Sequence, residues 1–355
     1  MEMLFTKEKE WLEKWDKFVY SNKRGNHLIF SDWLRSYDSY GFDFEIGICV
    51  EDEKIVGGFG AIIAKLAFFK FYIVPHGPLT REGYEIDSNF LIQNLQKRAK
   101  IKKCCYAQYS IPYSDNNLIE SYVFKLNLKN RRENKGKQGN LFKHVYSSYG
   151  LNWVDFNCAN SEEFLKQLAL QPRRNIKLAY KNNFEVKYAK NEQECREAYK
   201  LIEQNAKEAN YSVRNFEDIK KTILNLIDKE KAFLMMISFN NNLKGAGLFV
   251  DTGNYLTYIS GGVKREKPDL NIGYIIHWEA IKMSFDFHYK GYNISMGGSE
   301  GVQKFKAKFN AIEILFDHPH YHFILNPVIF KLYMFLNKYL KKNKERISLI
   351  LKNIK

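Results

Sequence analysis

No stretch of this 355-residue chain reads as a disulfide framework or a metal site. Its five cysteines (Cys49, Cys104, Cys105, Cys158, Cys195) are odd in number and lack metal-type spacing, so reduced thiols are expected. No Cys–His pair is convincing as a nucleophile and its base. Long apolar runs are also missing. The longest, Ile55 to Val74, is interrupted by Lys65, Lys70 and several glycines, and predicts a hairpin of buried strands instead of a membrane span. The start, Met-Glu-Met-Leu-Phe-Thr-Lys-Glu-Lys-Glu, has no signal-peptide pattern, so a cytoplasmic protein is expected. Helix-turn-helix, zinc and RNA-recognition signatures are lacking, which argues against a dedicated nucleic-acid module.

Acidic residues are outnumbered, 40 against 55 Lys and Arg, for a net charge of +15. Such a chain should meet something anionic: nucleic acid, an acidic membrane face or a phosphorylated small molecule. Charge does not choose among them. Aromatics make up 15% and hydrophobic residues 45%, ample for two ordinary cores.

The pattern of elements repeats. Helices are expected at 6–21 and 31–40, then strands at 44–50, 55–65 and 67–74, a helix at 84–103 and a strand at 106–111. In the second half, helices are expected at 161–170, 173–182, 192–209 and 215–229, and strands at 232–239, 244–251 and 254–260. The turn Glu51-Asp52-Glu53-Lys54 and the turn around Asn240-Asn241-Asn242 each join an apolar strand to one that re-enters through small residues. The expected fold is α/β (α+β): two tandem units with mixed, mostly antiparallel sheets flanked by helices. The first unit covers 1–150, with 325–355 as a candidate to complete it, and the second 151–324. Residues 125–143 hold seven basic residues against Glu133 and read as a solvated linker. The helix expected from Asn326 onward is basic. Its apolar face is expected to close a core, and the tail beyond 340 suits a membrane face equally well.

The stretch 271–310 carries the most chemistry. A helix with a broad apolar face (Ile275, Ile276, Trp278, Ala280, Ile281, Met283) ends at Gly291, and a short strand follows. Gly297-Gly298 leaves that strand open to a ligand, and Lys304, Lys306 and Lys308 follow at once, a plausible cradle for an anionic donor. His318, His320 and His322 alternate along an expected strand, but an ordinary edge strand is the simpler reading, and no metal is assigned.

This stretch resembles the Fem-type peptidoglycan-bridge aminoacyltransferases, which share the tandem Gcn5-related acyltransferase fold. The matching pieces are His277-Trp278-Glu279-Ala280-Ile281, Gly297-Gly298 and Phe305-Lys306-Ala307-Lys308-Phe309. Upstream matches are Val74-Pro75-His76-Gly77-Pro78 and Arg173-Arg174-Asn175-Ile176-Lys177-Leu178-Ala179. The resemblance implies non-ribosomal transfer of an aminoacyl group to an amine of a peptidoglycan precursor. No bound cofactor is implied, only aminoacyl-tRNA or acyl-CoA as co-substrate. It implies that Lys306 is catalytic and that Phe305, Lys304, Lys308, Gly297 and Gly298 face the donor. Arg214 falls where the family sets an arginine against substrate phosphates. Arg35 is the candidate to oppose it from the first unit, and Tyr211, Tyr255 and Tyr258 are candidate walls. The long coiled-coil arm of some members is absent. So are the acid expected at Ile111 and the glycines expected at Asn310-Ala311, and no coenzyme-A pyrophosphate loop is found. Two other functions therefore stay open: acyl-CoA-dependent acylation of a nucleotide-linked amino sugar, and an inactive Fem-like or basic nucleic-acid-binding protein.

Overall fold

The computed structural model describes residues 2–82, 88–112, 132–134, 141–316 and 320–340. In chain order the first elements are β1 (Met3–Thr6), α1 (Lys9–Ser21), α2 (Ser31–Arg35), β2 (Asp43–Glu51), β3 (Lys54–Leu66), β4 (Phe69–Val74), β5 (Leu79–Thr80), α3 (Ser88–Ile101), β6 (Tyr106–Tyr109) and β7 (Arg132–Asn134). Then come β8 (Gly150–Asp155), α4 (Ser161–Gln167), α5 (Leu170–Tyr180), β9 (Glu185–Tyr188), α6 (Glu192–Glu208), α7 (Phe216–Asp228), β10 (Ala232–Phe239), β11 (Asn242–Asp251) and β12 (Leu256–Val263). The last are α8 (Ile272–Asp286), β13 (Gly291–Asn293), α9 (Glu300–Ala307), β14 (Ile312–Leu315), β15 (His320–Ile324) and α10 (Pro327–Leu340).

The two hairpins that looked alike in sequence are alike in backbone. Asp52 and Glu53 (φ 47° and 60°) turn β2 into β3, and Asn240 and Asn241 (φ 50° and 58°) turn β10 into β11. Two consecutive left-handed residues give a turn whose twist matches the flanking strands, and short polar side chains tolerate that geometry best. Each hairpin then carries a bulge at the same place. Pairing skips Val56 in one, where Val50 meets Ile55 and Cys49 meets Gly57, and Lys244 in the other, where Ser238 meets Leu243 and Ile237 meets Gly245.

Two separate sheets result. The first runs β1-β2-β3-β4-β6-β15-β7, with β5 beside β3, and the second β14-β8-β13-β12-β11-β10-β9. Each contains one parallel pair, β4 with β6 and β12 with β13, joined by a crossover through α3 or α8. The sheets also exchange a strand. β8 follows the first sheet in the chain but pairs with β13 and β14, and β15 follows the second sheet but pairs with β6 and β7. The sequence reading placed 320–324 in the second unit, and its pairing puts it in the first sheet instead. Local patterning reports that a strand exists, not which sheet accepts it. We keep 150 as the proposed division between the units. Within the stretch read as a linker, Arg132–Asn134 forms the edge strand β7, and 125–131 and 135–140 lie outside the described residues.

Helices fill the space between and outside the sheets. One core joins the inner faces of both, with Trp15 and Leu34 from α1 and α2 packed in the same cluster as Ile202 and Ile223 from α6 and α7. The outer face of the first sheet packs on α3 (Ile92, Leu95, Ala99), and that of the second on α5 and α8 (Ile176, Ile275, Ile281). Asp32, buried in α2, accepts from Asn225 (3.0 Å) and pairs with Lys229, which ties the halves together. Among the described residues no helix is long and apolar enough to cross a membrane, and no helical pair makes a protruding arm.

Candidate active site

In the second sheet the parallel pair is short. Leu256 meets Tyr292 and Thr257 meets Asn293, and there the pairing stops. β12 runs on to Val263, but the chain after Asn293 turns off through Ser295, Gly297 and Gly298 at φ 72°, 77° and 104°. A side chain at Gly298 would meet Val302 at 2.6 Å, so glycine is required both by backbone and by space. β12 also bulges at the opening. Tyr258 pairs with Phe249 and Ser260 with Leu248, which leaves Ile259 as the extra residue. A bulge re-aims backbone groups that would otherwise point into the ladder.

Lys306, from α9, pins the loop that turns away after β13. Its Nζ donates to the carbonyls of Ser295 (2.8 Å) and Gly297 (3.1 Å), and the side chain is 5% exposed. Lys306 is buried although it stands between Lys304 and Lys308 on a basic helix. The loop bends so that two carbonyls face inward, and the lysine satisfies them. His277, from α8, sits beside it. Burial, then the Lys306 charge, holds its imidazole down to about 3, so it is neutral near pH 7. His277 Nδ1 is hydrogen-bonded to the Tyr292 hydroxyl (2.9 Å), and Tyr258 packs edge-on against the ring at 4.8 Å. Tyr258 is thus the first residue of β12 past the stretch paired with β13.

The other expected donor contacts divide. Phe305 packs among Tyr274, His277 and Phe309 at 5.1–5.7 Å, so its ring belongs to the core instead of standing free to stack on a base. Lys304 is exposed and paired with Glu300, and the Lys308 ammonium donates to the Tyr274 hydroxyl (3.0 Å). The run Gly297-Gly298-Ser299-Glu300-Gly301 has the spacing of a nucleophile elbow. Ser299, however, is the exposed N-cap of α9.

Arg214 does not face an empty cleft. Its guanidinium donates to Ser36 Oγ (2.6 Å), the Ser36 carbonyl (2.5 Å) and Ser39 Oγ (3.3 Å), and it lies over the rings of Tyr37 and Tyr40. It clamps the second half onto the 3-10 turn Ser36–Tyr40 of the first. Arg35, at the start of that turn, is exposed and lies over Phe44 (5.7 Å), not opposite Arg214. Tyr255 is buried between the halves. Its hydroxyl meets Asn26 Nδ2 (3.5 Å) and the Gly25 carbonyl (3.4 Å), a structural role in place of the expected wall. Tyr211 is 44% exposed and accepts from Asn205.

Three tyrosines that no motif singles out connect these pieces. A Cβ on Gly297 would lie 3.6 Å from the Tyr149 hydroxyl. Tyr149 packs edge-on with Tyr146 (6.3 Å), and the Tyr146 backbone bonds the phenol of Tyr37, which lies under Arg214. A line of phenols therefore runs from the Lys306 loop to the Arg214 clamp along the seam of the two halves. With 23 tyrosines in the chain, nothing local marks these three.

The equivalent place in the first sheet is shut. There β4 and β6 pair over four residues, Phe71 with Tyr106 through Val74 with Tyr109, and Gly77 N then donates to the Ser110 carbonyl (2.7 Å). The chain at 147–148 crosses the end. Ser148 N donates to the Pro75 carbonyl (2.9 Å), Ser110 Oγ to the Ser148 carbonyl, and Gln108 Nε2 to Ser147 Oγ (3.0 Å). His76 is buried with Nδ1 on Ser148 Oγ (3.1 Å) and Nε2 on the Arg24 carbonyl (2.8 Å). The Val74–Pro78 motif thus latches a closed end. Ile111, where an acid was expected, is buried beside it. Among the described residues no cluster of His, Cys, Asp or Glu suits a metal. His320 and His322 are buried in β15, and His318 lies outside the described residues.

Two similar α/β units, of which one opens its parallel pair and bulges the strand beside it, define the tandem Gcn5-related acyltransferase fold. The model of the FemAB family matches residues 240–338, which contain the opening, the bulge and Lys306. The fold agrees with that of FemX at a TM-score of 0.77 and 15% identity, over 94% of this chain and all of that one. It also agrees with a conserved protein of unknown function from Bacteroides thetaiotaomicron VPI-5482, at a TM-score of 0.58 and 13% identity, over 90% of this chain and 99% of that one. No curated protein matches the chain in sequence. The Fem-type resemblance is borne out over residues 240–338 by the family model, and the fold is that of FemX.

Proposed function

We propose that this protein moves an aminoacyl group from an aminoacyl-tRNA to an amine on a phosphorylated cell-envelope precursor. The observation that carries the reading is the open, bulged end of β12 facing the Lys306 loop, inside the segment the family model matches. A neutral amine attacks the ester carbonyl, and the carbon–nitrogen bond forms as the ester carbon–oxygen bond breaks. The proton leaves with the ribose hydroxyl. Charge develops on the carbonyl oxygen in between, and the bulge at Ile259 and the Lys306 ammonium are the groups that would meet it. Lys306 acts partly by fixing the 295–298 loop. Gly297 and Gly298 give the donor close access, and Lys304 and Lys308 add positive charge at the rim. Arg35 and Tyr211 are exposed and suit phosphate and ring contacts on the acceptor. Arg214 acts through the Ser36–Tyr40 turn, not by direct contact.

A second reading is kept alive by the β12 edge. Past Thr257 it has no β13 partner, so a thin extended thioester arm would suit it as an added strand. Incubation with labelled aminoacyl-tRNA and labelled acetyl-CoA separates the two. Donor affinity should fall steeply with salt for a tRNA, because each neutralised phosphate releases counterions. A shallow slope, with acetyl-CoA accepted and aminoacyl-tRNA ignored, replaces the first reading with acylation of a nucleotide-linked amino sugar.

A further inference from the structure

We infer that the end of the first sheet remote from its latch docks on an anionic lipid surface. Three segments meet there: the β3–β4 hairpin, the end of α3 and the start of α10. Cys105 N donates to the Lys70 carbonyl (2.8 Å), Leu325 N and Asn326 N donate to the Cys105 carbonyl (2.9 Å each), and Phe69 packs on Tyr333 at 5.4 Å. Each segment offers large apolar side chains to solvent. Phe68 at the hairpin tip is 65% exposed, Ile101 at the end of α3 69%, and Val328 and Phe335 on α10 77% and 58%. Leu332, 43% exposed, stands between the last two at helical spacing, so α10 has two apolar faces. Phe330 and Tyr333 bury one in the core, and Val328 and Leu332 stand exposed on the other.

Charge selects the occupant. Residues 65–70, 100–103 and 326–340 contain no Asp or Glu, and they supply Lys65, Lys70, Lys100, Lys103 and Lys331. Lys65 and Lys70 are direct cross-strand partners, an arrangement that costs stability unless an anion lies between or above them. The apolar groups stand on a hairpin tip and two helix ends instead of lining a groove. Protruding apolar side chains ringed by lysines match the boundary between phosphate headgroups and acyl chains. A nucleic acid would satisfy the lysines but leave Ile101, Val328 and Leu332 uncovered. A second copy of the chain would bring the same lysines against each other.

The test is co-sedimentation of the full chain with phosphatidylcholine vesicles, with and without phosphatidylglycerol. Binding is expected only with phosphatidylglycerol, and it should weaken as salt rises. The pair Phe68→Ser with Val328→Ser should weaken it by about tenfold or more, because two side chains that would enter the lipid are removed. Lys100→Glu with Lys103→Glu should do the same through charge, without touching the apolar groups. All four positions are exposed, so the melting temperature should stay near that of the unchanged protein. No binding to phosphatidylglycerol vesicles, or equal binding by both variants, overturns the inference. So does a dimer in sedimentation velocity that the serine pair dissolves while vesicle binding persists. The assay needs no turnover, so its failure leaves the acyl-transfer reading untouched.

Discussion

The ends of the two parallel strand pairs differ more than anything else in these similar halves. The first is paired over four residues, latched by His76 and crossed by Ser147 and Ser148. The second stops after two, bulges at Ile259 and turns away through two left-handed glycines under Lys306. The same hairpin turn and the same hairpin bulge precede both. One unit keeps the opening and the other has filled it with backbone and serine hydroxyls, so chemistry is assigned to the second and support to the first.

Lys306→Ala should break the second end most severely. Turnover is expected to fall by about a hundredfold or more, as for loss of one oxyanion donor. Stability should also drop by about 1–3 kcal/mol, since two inward carbonyls lose their partner. Ser110→Ala at the first end should leave turnover unchanged and cost about 1 kcal/mol. Rate assays and thermal melts on both variants decide it, and a large rate loss for Ser110→Ala would end the division of labour.

Acid should separate the halves next. Burial holds His27 and His277 down to about 3, and His76 and His320 to about 4, against an ordinary 6.5. Above 6.5 both folded and unfolded forms are neutral and nothing changes. Below it the unfolded chain takes protons that the folded one refuses, so stability falls with pH down to 3–4, by up to about 1.4 kcal/mol per pH unit for each histidine. His320 belongs to the first sheet, His76 to the bend that follows its strand β4, and His27 stands beside Trp33 in the same half. Hydrogen exchange at about pH 5 should therefore show the first sheet losing protection before the second. The reverse order would mean that the latch is not the acid-sensitive element.

Two glycines sharpen the contrast. Gly77→Ala (φ 106°) and Gly298→Ala (φ 104°) both force a side chain into left-handed backbone and should each cost about 1–2 kcal/mol. Only Gly298→Ala should also reduce turnover, because its loop borders the open end. Steady-state kinetics with equal effects from both would show that the loops are merely structural. The smallest effect concerns the seam. Arg214→Ala should lower the melting temperature, because three bonds to Ser36 and Ser39 are lost. Arg35→Ala should leave stability alone and raise KM. A changed melting temperature for Arg35→Ala would assign that residue to the fold.

What the sequence determined alone was local. α6 spans 192–208 against an expected 192–209, because its apolar residues recur at helical spacing and Asn191 caps it through the Glu194 amide. The paired hairpins were legible from polar turns next to small residues, whereas Lys306 was singled out only through the family resemblance of Phe305 to Phe309. Tertiary structure decided the rest. Which sheet receives β8 or β15 depends on pairing partners more than a hundred residues away, about which period-two alternation says nothing. A lysine reads the same in sequence whether solvated or buried. Two inward carbonyls, in the loop that turns away after β13, took Lys306 into the interior, and the Ser36–Tyr40 turn took Arg214 into the seam between the halves.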